Sequence, residues 1–251
     1  MLRILVVKLT SCSGCINELI YALTHSDIRD KYRVAYFPEI EDSDEVTSAD
    51  VAFVEGSITT SQQEDFLKAV RSRVEFLVAL GTCAISGGVQ SLVVKESAES
   101  AERAIYSETQ VPASAAGRPR PIESAVRVDF AIPGCPVSGE AVVSFLRKYS
   151  LGGLPLVLYE SVCSECKRQG VACVLVAKRV PCLGPITLRG CGALCPVRGR
   201  GCYGCYGLKF FDVTQKSVRA LARRLRELGL REEDFETLLL AYGYRVCSEL
   251  K

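Results

Sequence analysis

Apolar residues follow two different patterns along this chain. In the first half they form short, nearly continuous runs: Leu2 to Leu9, Val34 to Phe37, Val51 to Val54, Val74 to Leu80 and Val126 to Ile132. Runs of this length, stopped by Gly, Ser or Pro, predict strands covered on both faces. Between them lie stretches with helical spacing, Ile16 to Leu23, Gln62 to Arg71 behind a Thr60-Ser61 cap, and Ser138 to Tyr149. Strands separated by helices predict parallel βαβ units and therefore an α/β fold with a doubly wound parallel sheet. Past residue 150 the pattern changes. No amphipathic period runs through Cys163 to Cys205, and only afterwards do two helices read clearly, Thr214 to Leu228 and Glu232 to Glu249, split by Gly229. In the first of these, Val218, Leu221, Leu225 and Leu228 share one face, while Arg219, Arg223, Arg224 and Arg226 occupy the rest. That helix reads as a packing helix with a solvated basic side; docking on another subunit is the alternative. The expected division is a sheet domain, 1–150, and an irregular domain ending in helices, 151–251.

The strand ends carry the first candidate chemistry. Ligands of doubly wound sheets sit outside the carboxyl ends of the strands, at the point where the strand order reverses. Thr10-Ser11-Cys12-Ser13-Gly14-Cys15 follows the first run, Gly81-Thr82-Cys83 the fourth, and Pro133-Gly134-Cys135-Pro136 the fifth. Three separate loops therefore bring four thiols to one edge of one sheet. Gly14, Gly56, Gly81 and Gly134 allow close backbone approach and leave N–H groups for metal-bound sulfur. Glu55, after the third run, faces the same edge. Two readings stay open for it, an acceptor or proton relay near the site and a solvated loop carboxylate.

The second half is denser still. From Cys163 to Cys205 the spacing is C-x2-C-x6-C-x8-C-x8-C-x3-C-x6-C-x2-C, eight cysteines in forty-three residues. Eight thiolates make two sets of four, and soft thiolate ligands favour iron–sulfur clusters or zinc. Cys163-x2-Cys166 and Cys202-x2-Cys205 would also serve as the two knuckles of a zinc ribbon, so a zinc-stabilised interaction module without redox activity is the alternative of a different class. A ribbon, however, uses four thiols and not eight. Cys135-Pro136 and Cys195-Pro196 carry the Cys-Pro step of ferredoxin-type ligation.

The totals narrow the field. With 251 residues, 48% of them hydrophobic, the chain can bury a substantial core. A net charge of +2 gives no electrostatic reason to expect nucleic acid. His25 is the single histidine, which excludes histidine-pair chemistry, and it reads as a surface or capping residue. Cys247 has no partner spacing and reads as a packed or idle thiol. Met1 to Lys8 is too short and too charged for a secretory signal, and no apolar run approaches the roughly 20 residues of a membrane span. The expectation is a cytoplasmic protein without direct membrane insertion, in which thirteen cysteines serve metal and not disulfides.

Taken together, Thr10-Ser11-Cys12-Ser13-Gly14-Cys15, Val54-Glu55-Gly56-Ser57, Gly81-Thr82-Cys83-Ala84, Gly134-Cys135-Pro136, Pro181-Cys182-Leu183-Gly184-Pro185 and Cys202-x2-Cys205-x-Gly207 resemble the small subunit of nickel–iron hydrogenases. The resemblance is greatest to the delta subunit of cytosolic, NAD(P)-linked sulfhydrogenases, and it covers nearly the whole chain. It implies a flavodoxin-like first domain and three [4Fe-4S] clusters. Cys12, Cys15, Cys83 and Cys135 would hold the proximal cluster, facing the nickel–iron centre of a separate large subunit. Cys191, Cys195, Cys202 and Cys205 would hold the medial cluster, and Cys163, Cys166, Cys173 and Cys182 the distal one. Cys163 and Cys195 stand where the membrane-associated branch has His and lacks a Cys, so the resemblance implies four irons at every site. Oxygen-tolerant relatives add two cysteines at the proximal site, where this chain has Gly14 and Gly88, so tolerance by that device is not expected. The implied role is electron transfer between the hydrogen-cleaving large subunit and flavin- and iron–sulfur-bearing diaphorase-type subunits. Subunits linked to coenzyme F420, polysulfide or a heterodisulfide reductase share the same look. The related complex I subunit has adjacent cysteines in its first loop and no second cluster domain, and fits less well.

Overall fold

The five apolar runs become five strands, β1 (Leu2–Lys8), β2 (Tyr32–Tyr36), β3 (Ala49–Glu55), β4 (Val74–Leu80) and β5 (Phe130–Ile132). The computed structural model describes residues 1–42, 45–95, 118–209 and 214–242. The strands form one sheet in the order β2-β1-β3-β4-β5, with every neighbouring pair parallel. This is the flavodoxin-like order, whose switch point lies between β1 and β3.

Alternate residues of β1 enter different cores. Ile4 and Val6 point into one, beneath α1 (Gly14–Thr24) and the final helix of this unit, α5 (Gly139–Tyr149). Leu5 and Val7 point into the other, with Leu67 and Val70 of α3 (Ser61–Arg71). Two short helices complete the set, α2 (Ser26–Arg29) and α4 (Gly81–Ser86). His25 caps both α1 and α2 and meets Tyr21 edge-on at 5.1 Å. Helix α3 starts at a capping box: Gln63 N–H donates to Thr60 Oγ1 at 3.2 Å, and Thr60 N–H donates back to Gln63 Oε1 at 3.3 Å.

Phe145 on α5 anchors the first core. It is fully buried and meets Phe53 edge-on at 5.6 Å, Phe130 at 5.2 Å and Tyr149 in a stack at 5.5 Å. Phe145→Ala is expected to cost about 3–5 kcal/mol of stability, read as a lower thermal midpoint.

Two strands differ from expectation. β2 starts earlier, because Tyr32 and Arg33 pair with Leu2 and Arg3. β5 is shorter than Val126 to Ile132. Val126 N–H closes a turn on Ile122 at 3.1 Å, and the Asp129 carboxylate, held by Arg71 at 3.3 Å, takes the Leu77 N–H at 2.9 Å. A side chain thus occupies a donor that a longer strand would need. Asp44, Pro112 of the polar stretch, and Cys247 lie outside the described residues.

The chain divides into two units, Met1–Pro155 and Leu156–Lys251. In the second, regular structure is sparse: α6 (Val162–Arg168), α7 (Val174–Ala177), α8 (Leu194–Val197), α9 (Gln215–Glu227) and α10 (Glu232–Ala241). Segments 160–162, 186–189 and 207–209 exchange a few antiparallel bonds, among them Val162 N–H to Thr187 at 3.0 Å and Leu188 N–H to Gly207 at 2.9 Å. Val218, Leu221 and Leu225 of α9 and Phe235 and Leu239 of α10 bury themselves on Leu183 and Ile186, the residues just after Cys182. The basic face of α9 carries ion pairs, Arg224 to Glu227 at 2.9 Å and Arg226 to Glu232 of α10 at 3.4 Å. The tail is thus the packing device that the spacing predicts. The later part of the second predicted tail helix, from residue 243, lies outside the described residues. No helix among the described residues is long and apolar enough to cross a membrane.

Candidate metal centre

Cys12 and Cys15 follow β1, Cys83 lies in α4 directly after β4, and Cys135 follows β5, so all four sit at the carboxyl end of the sheet. Their thiols lie close enough to influence one another. Burial pushes the Cys15 thiol up to about 12; the Val137 N–H opposes this, while Glu55, Cys83 and Cys135 add to it. Burial likewise pushes Cys83 up to about 11, with Cys135 adding to the rise and Cys12 contributing further. Cys135 is raised by burial, then by Cys12 and Glu55. The four thiols expected to share one site thus lie at one edge of the sheet, within electrostatic reach of one another. A bound cation would offset this burial cost by favouring the thiolate forms.

Glu55 resolves its two readings by burial. It ends β3, beside β1 at the switch point, and is 2% exposed. Its Oε1 accepts the Cys15 N–H at 3.1 Å, and burial raises its pKa. The solvated-carboxylate reading is excluded. The Cys15 amide and the Ser11 side chain partly offset that burial at Glu55, while Ser57 Oγ is buried here without a hydrogen-bond partner, a polar atom of the kind that a bound group satisfies. Gly81, at φ +84, adds a steric mark: a Cβ there would overlap Cys15 Sγ and come within 3.4 Å of the Gly134 oxygen. Four thiols at one sheet edge, the unpartnered Ser57 hydroxyl and this tight backbone are compatible with an iron–sulfur cluster.

Sequence reasoning missed Gln90. Its Oε1 accepts from Cys83 Sγ at 3.3 Å, while its Nε2 donates to the Thr10 oxygen at 2.8 Å, joining the loop of Cys12 to that of Cys83. An amide seven residues after a Cys carries no signal by itself.

In the second unit, Cys163, Cys166, Cys173 and Cys182 lie within electrostatic reach of one another. Burial pushes Cys166 up to about 11, and Cys163, Cys182 and Cys173 add to that rise. Cys163 is raised by burial first, with Cys182 and Cys173 adding to it. The couplings of the other four cysteines run across this grouping. Burial raises Cys202, and Cys182 and Cys205 add to the rise. Cys195 acts on Cys182, and Cys191 acts on Cys166. Main-chain donors aim at these sulfurs. Cys202 N–H reaches Cys182 Sγ at 3.2 Å, and the Leu194 and Ala193 amides lower Cys191 against its burial. Amides directed at cysteine sulfur suit cluster ligands. Among the described residues no three His, Cys, Asp or Glu side chains gather tightly enough to grip a single metal ion. A cavity of about 220 Å³ lies along β5, lined by Ala84, Ile85, Glu123, Asp129 and Phe130, and no cysteine lines it.

A flavodoxin-like parallel sheet with thiols at its carboxyl edge is joined here to a cysteine-rich unit, and the relatives of this chain make it an oxidoreductase subunit. The family model for the NADH ubiquinone oxidoreductase 20 Kd subunit matches residues 12–149, leaving the second cysteine segment outside it. The chain is 39% identical over 231 residues to Sulfhydrogenase 2 subunit delta of Pyrococcus furiosus, with 88% of this chain and 96% of that one covered. It is 30% identical over 238 residues to a subunit of the F420-non-reducing hydrogenase vhu of Methanococcus voltae, with 82% of each covered. Among solved structures it matches a chain of an NAD+-reducing nickel–iron hydrogenase in the H2-reduced state, with TM-score 0.56 and 26% identity, covering 63% of this chain and 96% of that one. The chain belongs to the 20 Kd NADH ubiquinone oxidoreductase subunit family and, within it, to the small subunits of nickel–iron hydrogenases.

Proposed function

We propose that this chain is the electron-transferring small subunit of a cytoplasmic nickel–iron hydrogenase, carrying three [4Fe-4S] clusters between a hydrogen-cleaving large subunit and a flavin-bearing NAD(P) module. Cys12, Cys15, Cys83 and Cys135 are the proposed proximal ligands. Cys191, Cys195, Cys202 and Cys205 are the medial set, and Cys163, Cys166, Cys173 and Cys182 the distal set. What supports this reading most is the placement of four thiols after the carboxyl ends of β1, β4 and β5, in a chain so similar to a sulfhydrogenase subunit. When bound, the clusters supply one-electron chemistry.

The chain's own residues do the rest. The thiols fix positions. Glu55 holds the Cys15 amide, and Gln90 Nε2 holds the Thr10 carbonyl that leads into the Cys12 loop. Burial keeps water from the sulfurs of Cys15, Cys182 and Cys202. The similarity to a subunit of an F420-non-reducing hydrogenase favours, as a second reading, the same wiring delivered to a different acceptor module.

Iron and acid-labile sulfide, assayed on protein purified without oxygen, are expected at about twelve of each per chain. Zinc without iron would sink the reading in favour of a structural module.

A further inference from the structure

Glu165 has no part in the ligand sets, yet among the described residues of the second unit it is the one buried charged side chain, 7% exposed. It stands on α6 between Cys163 and Cys166, and both of its oxygens reach a different loop. Oε1 accepts the Gly190 N–H at 3.0 Å and Oε2 accepts the Ala193 N–H at 3.2 Å. These amides bracket Cys191, whose Sγ lies 4.0 Å from Oε2. Ala193 is left-handed, with φ 54, and turns of this kind point amides inward as an anion-binding concavity. Here a carboxylate fills that concavity. Arg189 approaches Oε1 at 3.7 Å and also holds Glu160 at 2.9 Å.

We infer that Glu165 is a positioning residue for the Cys191 cluster: it ties the Cys191 loop to the helix bearing Cys163 and Cys166, and its fixed negative charge lowers that cluster's reduction potential. The inference rests on the cysteine sets proposed above. Its electrostatic half follows from sign alone. The reduced cluster carries one more negative charge than the oxidised one, so a neighbouring anion disfavours it and a neighbouring cation favours it. Its geometric half follows from the two amide bonds. They hold a ligand of one set against the helix of another, which keeps the separation of the two centres constant.

The test is an EPR-monitored redox titration of the hydrogenase complex purified without oxygen, with iron counted on the same samples. Glu165→Gln removes the charge and retains one of the two amide bonds. One cluster is expected to titrate at higher potential while the other two stay in place. Arg189→Gln removes the cation from the same carboxylate and leaves both amide bonds, so that cluster is expected to move the opposite way. This second variant carries the sign test even if the first loads poorly. Glu165→Ala, which loses both bonds, is expected to lose about four irons per chain. Wild-type potentials for all three clusters in a loaded Glu165→Gln complex, or in Arg189→Gln, would overturn the electrostatic role. Full iron in Glu165→Ala would overturn the positioning role. Iron-free wild-type protein would instead refute the ligand sets, and the assay on the parent complex reports that separately.

Discussion

Cys12→Ala is expected to leave the chain folded and assembled while hydrogen-dependent reduction of the flavin-linked acceptor falls to background. The choice among the four strand-end cysteines follows from burial. Cys15 belongs to the first core, packed with Ile16 and Leu19, so removing it would open a cavity and confuse folding with function. Cys12 is exposed, and truncating it costs no packing. Electrostatically it is still central, since both Cys83 and Cys135 feel it. The variant is therefore expected to lose about four irons per chain and to keep the rest of its iron. Proton–deuterium exchange with hydrogen, which needs no electron exit, is expected to continue on the partner subunit. The measurement is that pair of activities on one preparation. Acceptor reduction at the parent rate would refute the proximal assignment, and loss of both activities would mean that Cys12 serves assembly instead.

The sheet was legible because strands buried on both faces read as continuous apolar runs, and the carboxyl ends of those runs could be marked by their glycines. Four thiols after three strands then implied one site without any knowledge of contacts. The errors came from side chains that replace main-chain partners. Asp129 takes the Leu77 amide and shortens β5, and no hydropathy pattern records such a substitution. Glu55 was ambiguous for a similar reason. Its burial arises from the pairing of β3 with β1, a long-range fact, while its local sequence is a loop with a carboxylate. The second unit shows the converse. Its spacing announces metal ligands, but so little periodic structure leaves the register of its segments unspecified. Neither the clasp of Glu165 on Gly190 and Ala193 nor the crossing of residues 181–183 with 201–202 has a local signature.

That crossing carries the other large expected effect. A Cβ on Gly201 would overlap the Pro181 oxygen outright, with the Pro181 carbonyl carbon at 2.9 Å and Cys182 Cα at 3.4 Å. The two segments are also laced together there, by Leu183 N–H to the Cys202 oxygen at 2.9 Å and Cys202 N–H to Cys182 Sγ at 3.2 Å. Backbone atoms cannot swing aside as a long side chain can, so Gly201→Ala has to part the segments. Cys182 and Cys202 belong to different proposed ligand sets, and one methyl therefore disturbs both. Leu183 and Ile186, on which α9 and α10 rest, follow Cys182 directly, so the tail loosens as well. Iron is expected to fall from about twelve to about four per chain, with the proximal EPR signal retained, because the crossing is built from residues of the second unit. Gly153→Ala is the matched control: its nearest neighbour would be the Lys148 oxygen at 3.8 Å, an ordinary contact, and its iron content should equal that of the parent. Full iron in Gly201→Ala would show that the medial and distal ligands do not depend on this crossing. Loss of the proximal signal as well would show that the two units load their iron as one.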